Sequence, residues 1–442
     1  MDRALIVSSD CHVGAPSEVY RYYLEKRYHN PFDEYLEHRR DTAASRNKPI
    51  EQVPTDPEAR TAFFYHQVDR NNFVRPITEV AQDADPVVAE LARDRRLRYE
   101  YSRSVNVTSR LDEMESQGVV GEVLFPDTSS DNEIPFSGLS GALGGIENRY
   151  PPELQMAGHR AYNRWLADFC VAGRHIGLAR VSSFDIEAAV REVHWARREG
   201  LHGVLLDGEN PALASLYEAA YDPLWAACEQ EKLPVHFHAV AGAPELARQG
   251  PMATEMWRFE LGFWAHRPLW HLILGGVLER HPQLVCVWAE SGSAWIPPAL
   301  DAMDWRWEVM PPTRRLPMKP SAYWRRQGFV AASILTRAEA DMRHRIGIDQ
   351  MMFGTDLPHM EGTWRVTLRY LRATLGAAGT TKEEARKILG GNLLRCYGLD
   401  AAPFERRARE IGPDLGEILT PLEDDQMTTE LALMVSAPAK GF

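Results

Sequence analysis

Seven side chains in this sequence have types and spacings suited to metal chemistry. Asp10 and His12 lie two residues apart in VSSDCHV, and His236 and His238 are spaced alike in LPVHFHA. Glu290 follows LVCVWA, and FGTDLPH carries Asp356 and His359. Carboxylate oxygens and imidazole nitrogens are the donors that zinc, manganese and iron accept. Asp10, Glu290 and Asp356 would repel one another if brought together away from water, and a bound cation removes that repulsion. One carboxylate at a strand end is ordinary, but several acids and imidazoles converging on one place need a cause.

The elements that would bring them together are short runs rich in β-branched residues. Strands are expected at 4–9, 119–125, 176–182, 203–207, 234–238, 284–289, 328–333 and 351–355. Helical patterns lie between most of them. Residues 184–199 repeat apolar side chains at three-to-four spacing and stop at Gly200, and 222–232 opens with Asp222 and Pro223. Alternating strands and helices imply an α/β fold, a (β/α)8 TIM barrel with a long helical insertion after the first strand and a C-terminal tail. A doubly wound sheet is the alternative, but no G-x-G-x-x-G follows the first strand. Every candidate donor then falls at or just past the C-terminal end of a strand, the face where barrel active sites form. Period-two alternation puts Asp10 and His12 on one face and Cys11 on the other.

Residues 1–399 read as a single barrel domain. The inserts 13–104 and 127–150 are expected over its mouth, with a helix at 86–102, and 400–442 as an extension without a part in the barrel, free to pack on a neighbouring subunit. His236 shares a face with His238, which leaves three roles open: ligand, donor to a ligand, or core residue. His266 and His271 share a helix five residues apart, a spacing unlike H-E-x-x-H. A helix opening near 264 would aim His266 into the mouth. Ser291 and Ser293 do not form G-x-S-x-G, so nucleophilic catalysis by either is not expected. Arg314, Arg315 and Lys319 make a basic loop that reads as solvated surface, with an anion-holding role as the sharper alternative.

Composition narrows the partners. Fifty Lys and Arg against 62 Asp and Glu give a net charge of -12, which argues against nucleic acid or an anionic membrane as partner. The 5 cysteines are scattered without C-x-x-C, excluding a disulfide scaffold and a thiolate zinc site. The apolar part of MDRALIVSSDCH is too short for a signal peptide and no run is long enough to span a bilayer. A cytoplasmic protein is expected, with homo-oligomer formation left open.

VSSDCHV, LPVHFHA, GGVLERHPQLVCVWAESGSAWIP, FGTDLPH and the closing GNLLRCYGL, taken in order, resemble the amidohydrolase superfamily, in its branch related to aminocarboxymuconate semialdehyde decarboxylase. The resemblance spans most of the chain. It implies a metal held by Asp10, His12, His238 and Asp356. It also marks departures: Glu290 stands where the decarboxylases carry a His, the first pair is Asp-x-His, and His359 adds a donor. Six donors suffice for two metals, whereas one zinc needs about four with an open position. Three carboxylates against two divalent ions leave a site near neutral.

This combination is similar to a group of nonheme diiron monooxygenases on this barrel, one of which hydroxylates a diterpenoid coenzyme A thioester in platensimycin and platencin biosynthesis. The resemblance implies two Fe, dioxygen, an external electron donor and an acyl-CoA-type substrate, with His236 and His266 managing protons near the metals. The rival expectation is a hydrolase or decarboxylase of amidohydrolase type with one zinc or manganese, in which Asp356 orients a water acidified by the metal. A third reading is a catalytically silent metal-binding protein, which would not need so many donors around an accessible mouth.

Overall fold

The computed structural model describes residues 2–45, 106–127, 132–137, 143–146, 149–244, 253–359, 362–364 and 366–436. Eight parallel strands follow one another around a barrel in sequence order: β1 Ile6–Val13, β2 Val119–Pro126, β3 His175–Val181, β4 Gly203–Leu206, β5 Val235–Phe237, β6 Cys286–Ala289, β7 Gly328–Ala332 and β8 Met351–Phe353. The expected strands are all present, each displaced by one to four residues at an end. β8 returns to β1 through a parallel bridge between Cys11 and Leu357, where the His12 N–H donates to the Leu357 carbonyl at 2.7 Å. A (β/α)8 barrel is therefore the architecture.

Alternation sorts the strand residues into two cores. Ala179, Val181, Val204, Leu206, Phe237, Trp288, Val330 and Phe353 pack outward against the helices. Ile176, Leu178, Leu205, Val287, Phe329, Ala331 and Met352 fill the barrel. Both sets are buried, as expected of strands covered on each face.

β1 breaks the alternation, and the break matters for the site. Ile6 faces outward and Val7 inward, but Cys11 and Val13 face outward again. The parity switches at the register shift between Ser8 and Cys11. An irregularity of this kind reverses which face later residues occupy. Without it, Asp10 and His12 would share the outward face of Ile6. With it, they point into the mouth.

The tail corrects its expectation. Helix Ala401–Ile411 lies on the barrel, with Phe404 and Ala408, four residues apart on one helix face, buried in the inner core cluster. Ahead of it, helix Asn392–Tyr397 adds Leu393 and Tyr397 to the same cluster. The extension thus belongs to the packing of the barrel. The first insert opens with three short helical turns, Ser17–Val19, Tyr20–Tyr23 and Lys26–Tyr28, followed by helix His29–Ser45; the helix expected at 86–102 lies outside the described residues, as do parts of 127–150.

Candidate metal centre

The six expected donors converge at the C-terminal mouth. Asp10, His12, His238 and Glu290 have ligand atoms all within 4.8 Å of one another, as do His12, Glu290, Asp356 and His359. His12 and Glu290 belong to both quartets. His12 Nε2 lies 3.6 Å from Asp10 Oδ1, 3.5 Å from Glu290 Oε2 and 3.4 Å from Asp356 Oδ1. His238 Nε2 lies 3.7 Å from Asp10 Oδ1 and 3.0 Å from Glu290 Oε2, and His359 Nδ1 is 2.9 Å from Asp356 Oδ1.

Four of these separations, 3.4–3.7 Å, are longer than a hydrogen bond and near the spacing of donors that share an ion. Two donor atoms each about 2.1 Å from one ion, at octahedral or tetrahedral angles, lie about 3.0–3.4 Å apart. Asp10 Oδ1, His12 Nε2 and His238 Nε2 are buried yet make no hydrogen bond, an arrangement that costs free energy unless something else occupies them. The electrostatics agree. Burial and His359 push the His12 ring towards neutrality, but Asp356, Glu290 and Asp10 outweigh them and hold it up at about 9. Burial likewise opposes charge on His238, and Glu290 and Asp10 raise it. The carboxylates demand positive charge here, and a divalent ion supplies it better than protons on two imidazoles.

The scaffold around the donors orients them. His12 Nδ1 donates to the Pro126 carbonyl at 2.9 Å, which leaves Nε2 to face the cluster. The Ser333 hydroxyl donates to Asp10 Oδ2 and leaves Oδ1 inward. Gly354 permits the contact between β8 and β1, since a Cβ there would sit 2.9 Å from Asp10 Cβ and 3.2 Å from Asp10 N. Arg110, fully buried, pairs with Glu122 and donates to the carbonyls of His12 and Leu357. Glu290 and Asp356 adopt left-handed backbone conformations, with φ of 50° and 57°, which non-glycine residues seldom accept without support. The Asp356 N–H donates to Asp10 O at 2.9 Å and the Glu290 N–H to Ala331 O at 3.2 Å, tying both turns to neighbouring strands.

Two expected site residues lie elsewhere. His236 faces into the barrel as alternation requires, but one layer below the cluster. Its Nδ1 meets the Val204 carbonyl at 3.0 Å and its Nε2 the Tyr397 hydroxyl at 2.7 Å. His266 sits in the middle of helix Ala253–Leu274, which begins well before 264. Its ring stacks on Trp295 at 3.8 Å and its Nε2 donates to the Ser291 carbonyl at 2.9 Å, bracing the turn that carries Glu290. Burial pulls both rings down to about 4, so they are neutral. Arg315 and Lys319 are engaged with Glu308. Ser293 is bonded to buried Glu339.

The sequence reading passed over Asp127, Ser333 and Arg110. Asp127 carried a usable signal: it is a carboxylate just past an expected strand, set aside as the start of a loop. Ser333 and Arg110 carried none, because their partners are remote in sequence.

Comparison with known proteins bears out the architecture. The amidohydrolase family profile matches residues 127–399. It begins after β1 and β2, so Asp10 and His12 join the matched region through barrel closure. No curated protein matches the chain. An amidohydrolase from Mycobacterium avium subsp. paratuberculosis has a TM-score of 0.60 at 20% identity, covering 90% of this chain and 99% of that one. The 5-carboxyvanillate decarboxylase of Sphingomonas paucimobilis gives 0.55 at 18% identity, covering 89% and 99%. The 5-carboxyvanillate decarboxylase of Novosphingobium aromaticivorans, complexed with manganese, gives 0.56 at 19% identity, covering 90% and 96%. At these identities the solved structures speak for the fold, and the profile match, across more than half of the chain, places it in the amidohydrolase family.

Proposed function

We propose that this protein is a metal-dependent enzyme that hydrolyses or decarboxylates a small organic acid or ester. The observation that carries the reading is the convergence of six donors with three buried, unbonded ligand atoms at the barrel mouth. The resemblance to manganese-containing decarboxylases supports an aromatic carboxylate as the first substrate class to try. Asp10, His12, His238 and Glu290 would hold one ion, with Asp356 and His359 completing the second quartet. A bound divalent ion supplies Lewis acidity, polarising a carboxylate or carbonyl and lowering the pKa of water.

The chain's own residues divide the remaining work. Asp10, His12, His238 and Asp356 are 0–1% exposed at their side chains, whereas Glu290 and His359 retain 11% and 16%. Substrate therefore reaches the centre past Glu290 and His359. When only the first quartet holds an ion, Asp356 is the carboxylate suited to hold a proton in transit, because His359 Nδ1 stands 2.9 Å from its Oδ1 and His359 itself reaches solvent.

A second reading, a diiron oxygenase acting on a bulky acyl-CoA-type substrate, is favoured by one observation: the donors form two quartets around shared His12 and Glu290, a set large enough for two metals. One experiment separates the two. Protein stripped by chelation and reloaded with manganese, zinc or iron is assayed on aromatic carboxylates with and without dioxygen. Turnover that needs added metal and persists anaerobically is expected. Turnover that needs dioxygen, with about two irons per chain, overturns the first reading in favour of the second.

A further inference from the structure

The end of β2 supplies no donor to either quartet, yet three consecutive residues there touch three of the histidines. The Phe125 ring packs against His238 at 4.9 Å between centroids and against His12 at 6.0 Å. The Pro126 carbonyl accepts from His12 Nδ1. Asp127, fully buried, has Oδ1 3.9 Å from His359 Nε2. We propose that Asp127 is a positioning residue which orients His359, so that its Nδ1 faces Asp356 and the second quartet. This inference rests on the metal-dependent reading above.

The geometry assigns the two nitrogens of His359 to opposite sides. Nδ1 stands 2.9 Å from Asp356 Oδ1, inside the donor cluster, and Nε2 points back to Asp127. The ring cannot swing away easily, because it stacks on His12 at 4.0 Å with 23° between planes. Rotation within that plane remains, and the two nitrogens differ in what they face: Nδ1 the donor cluster at Asp356, Nε2 a carboxylate that belongs to neither quartet. A histidine ligand typically presents its other nitrogen to a carboxylate or carbonyl, which sets the tautomer and strengthens the donor. His12 has the Pro126 carbonyl in that place. His359 has Asp127 there. At 3.9 Å the contact is an ion-pair distance rather than a hydrogen bond, so its orienting force is electrostatic and depends on the charge of Asp127.

Asp127 also accepts from Asn132 Nδ2 at 2.9 Å through Oδ2. If it served only to hold Asn132, removing Asn132 should matter as much as removing the charge. The experiment uses the full chain, equilibrium dialysis against Mn2+, and four proteins: wild type, Asp127→Asn, Asp127→Ala and Asn132→Ala. In the wild type two classes of Mn2+ site are expected. Asp127→Asn, nearly isosteric, and Asp127→Ala should weaken one class by roughly 10–100-fold and leave the other unchanged. Asn132→Ala should leave both classes as they are. Nitrogen-15 shifts of the His359 ring should move from one tautomer to a mixture in the two Asp127 variants. Unchanged Mn2+ binding in both Asp127 variants, equal weakening of both classes, or an equal effect of Asn132→Ala overturns the inference. A wild type that binds no metal overturns the functional reading instead.

Discussion

Single residues carry most of what could be read in advance about the centre. Asp, Glu and His at strand ends are conspicuous because little else explains them there, and all six expected donors fall in the two quartets. His236 shows where the reasoning ends. Spacing of two fixes the face of a strand but not the depth, and two residues along a strand span about 6.6 Å, beyond the reach of a ligand bond. The overlap of the quartets gives a test. Glu290 can serve both groups at once, because its two oxygens can bridge two ions, whereas the single inward nitrogen of His12 can hold only one; His238 serves only the first group and His359 only the second. We expect Glu290→Ala to weaken binding of both ions, each by more than about 10-fold since an outer partner alone is worth 10–100-fold. His238→Ala and His359→Ala should each lose one equivalent. Metal content after gel filtration checks this; a Glu290→Ala protein that keeps both ions tightly would show that the quartets do not share it.

Elements decide whether the right residues meet. The strands were legible because β-branched runs and turn residues mark them, and most helices because their apolar spacing does. The irregularity in β1 was not, because it arises from how β1 meets β2 and leaves no mark on VSSDCH itself. Nor was the start of helix Ala253–Leu274, which displaced His266 from the mouth. The tail was misjudged for a related reason: the surface that Phe404 and Ala408 cover exists only once the barrel has assembled. Gly354 tests the closing seam. An added methyl would meet Asp10 Cβ at 2.9 Å, Asp10 N at 3.2 Å and Ser333 Cα at 3.3 Å, and two of these are backbone that cannot step aside alone. Gly354→Ala is expected to cost about 1–3 kcal/mol of stability, as overpacking does, and to weaken metal binding by moving Asp10. The urea midpoint of the chelated protein and Mn2+ dialysis read the two effects; a variant unchanged in both would mean that β8 and β1 have slack at this contact.

At the scale of the whole molecule, the barrel's histidines make it sensitive to acid. Burial pulls His236, His266 and His175 down to about 4, despite Glu122 raising the last. His159 is lowered too, by burial and by the charges of Arg180 and Arg160. A depressed histidine is neutral when folded and takes up a proton once unfolded, so its contribution is present above the ordinary value of 6.5 and is lost as pH falls towards 4. A shift of that size is worth about 3 kcal/mol per group at most, and three such groups rival the 5–15 kcal/mol that holds a typical domain together. His12 works in the opposite direction but in another window. Held up at about 9, it stabilises the chelated protein fully below 6.5 and loses that effect as pH rises towards 9, so it cannot offset the acid loss. Stability of the chelated protein should therefore fall steeply between pH 6.5 and 5. His266→Gln should soften the slope, because an amide can still donate to the Ser291 carbonyl without titrating. Urea unfolding at pH 7.5, 6 and 5 measures both. A midpoint that stays level from pH 7.5 to 5 would show that these rings are protonated in the folded barrel after all, and that water reaches the layer beneath the metal centre.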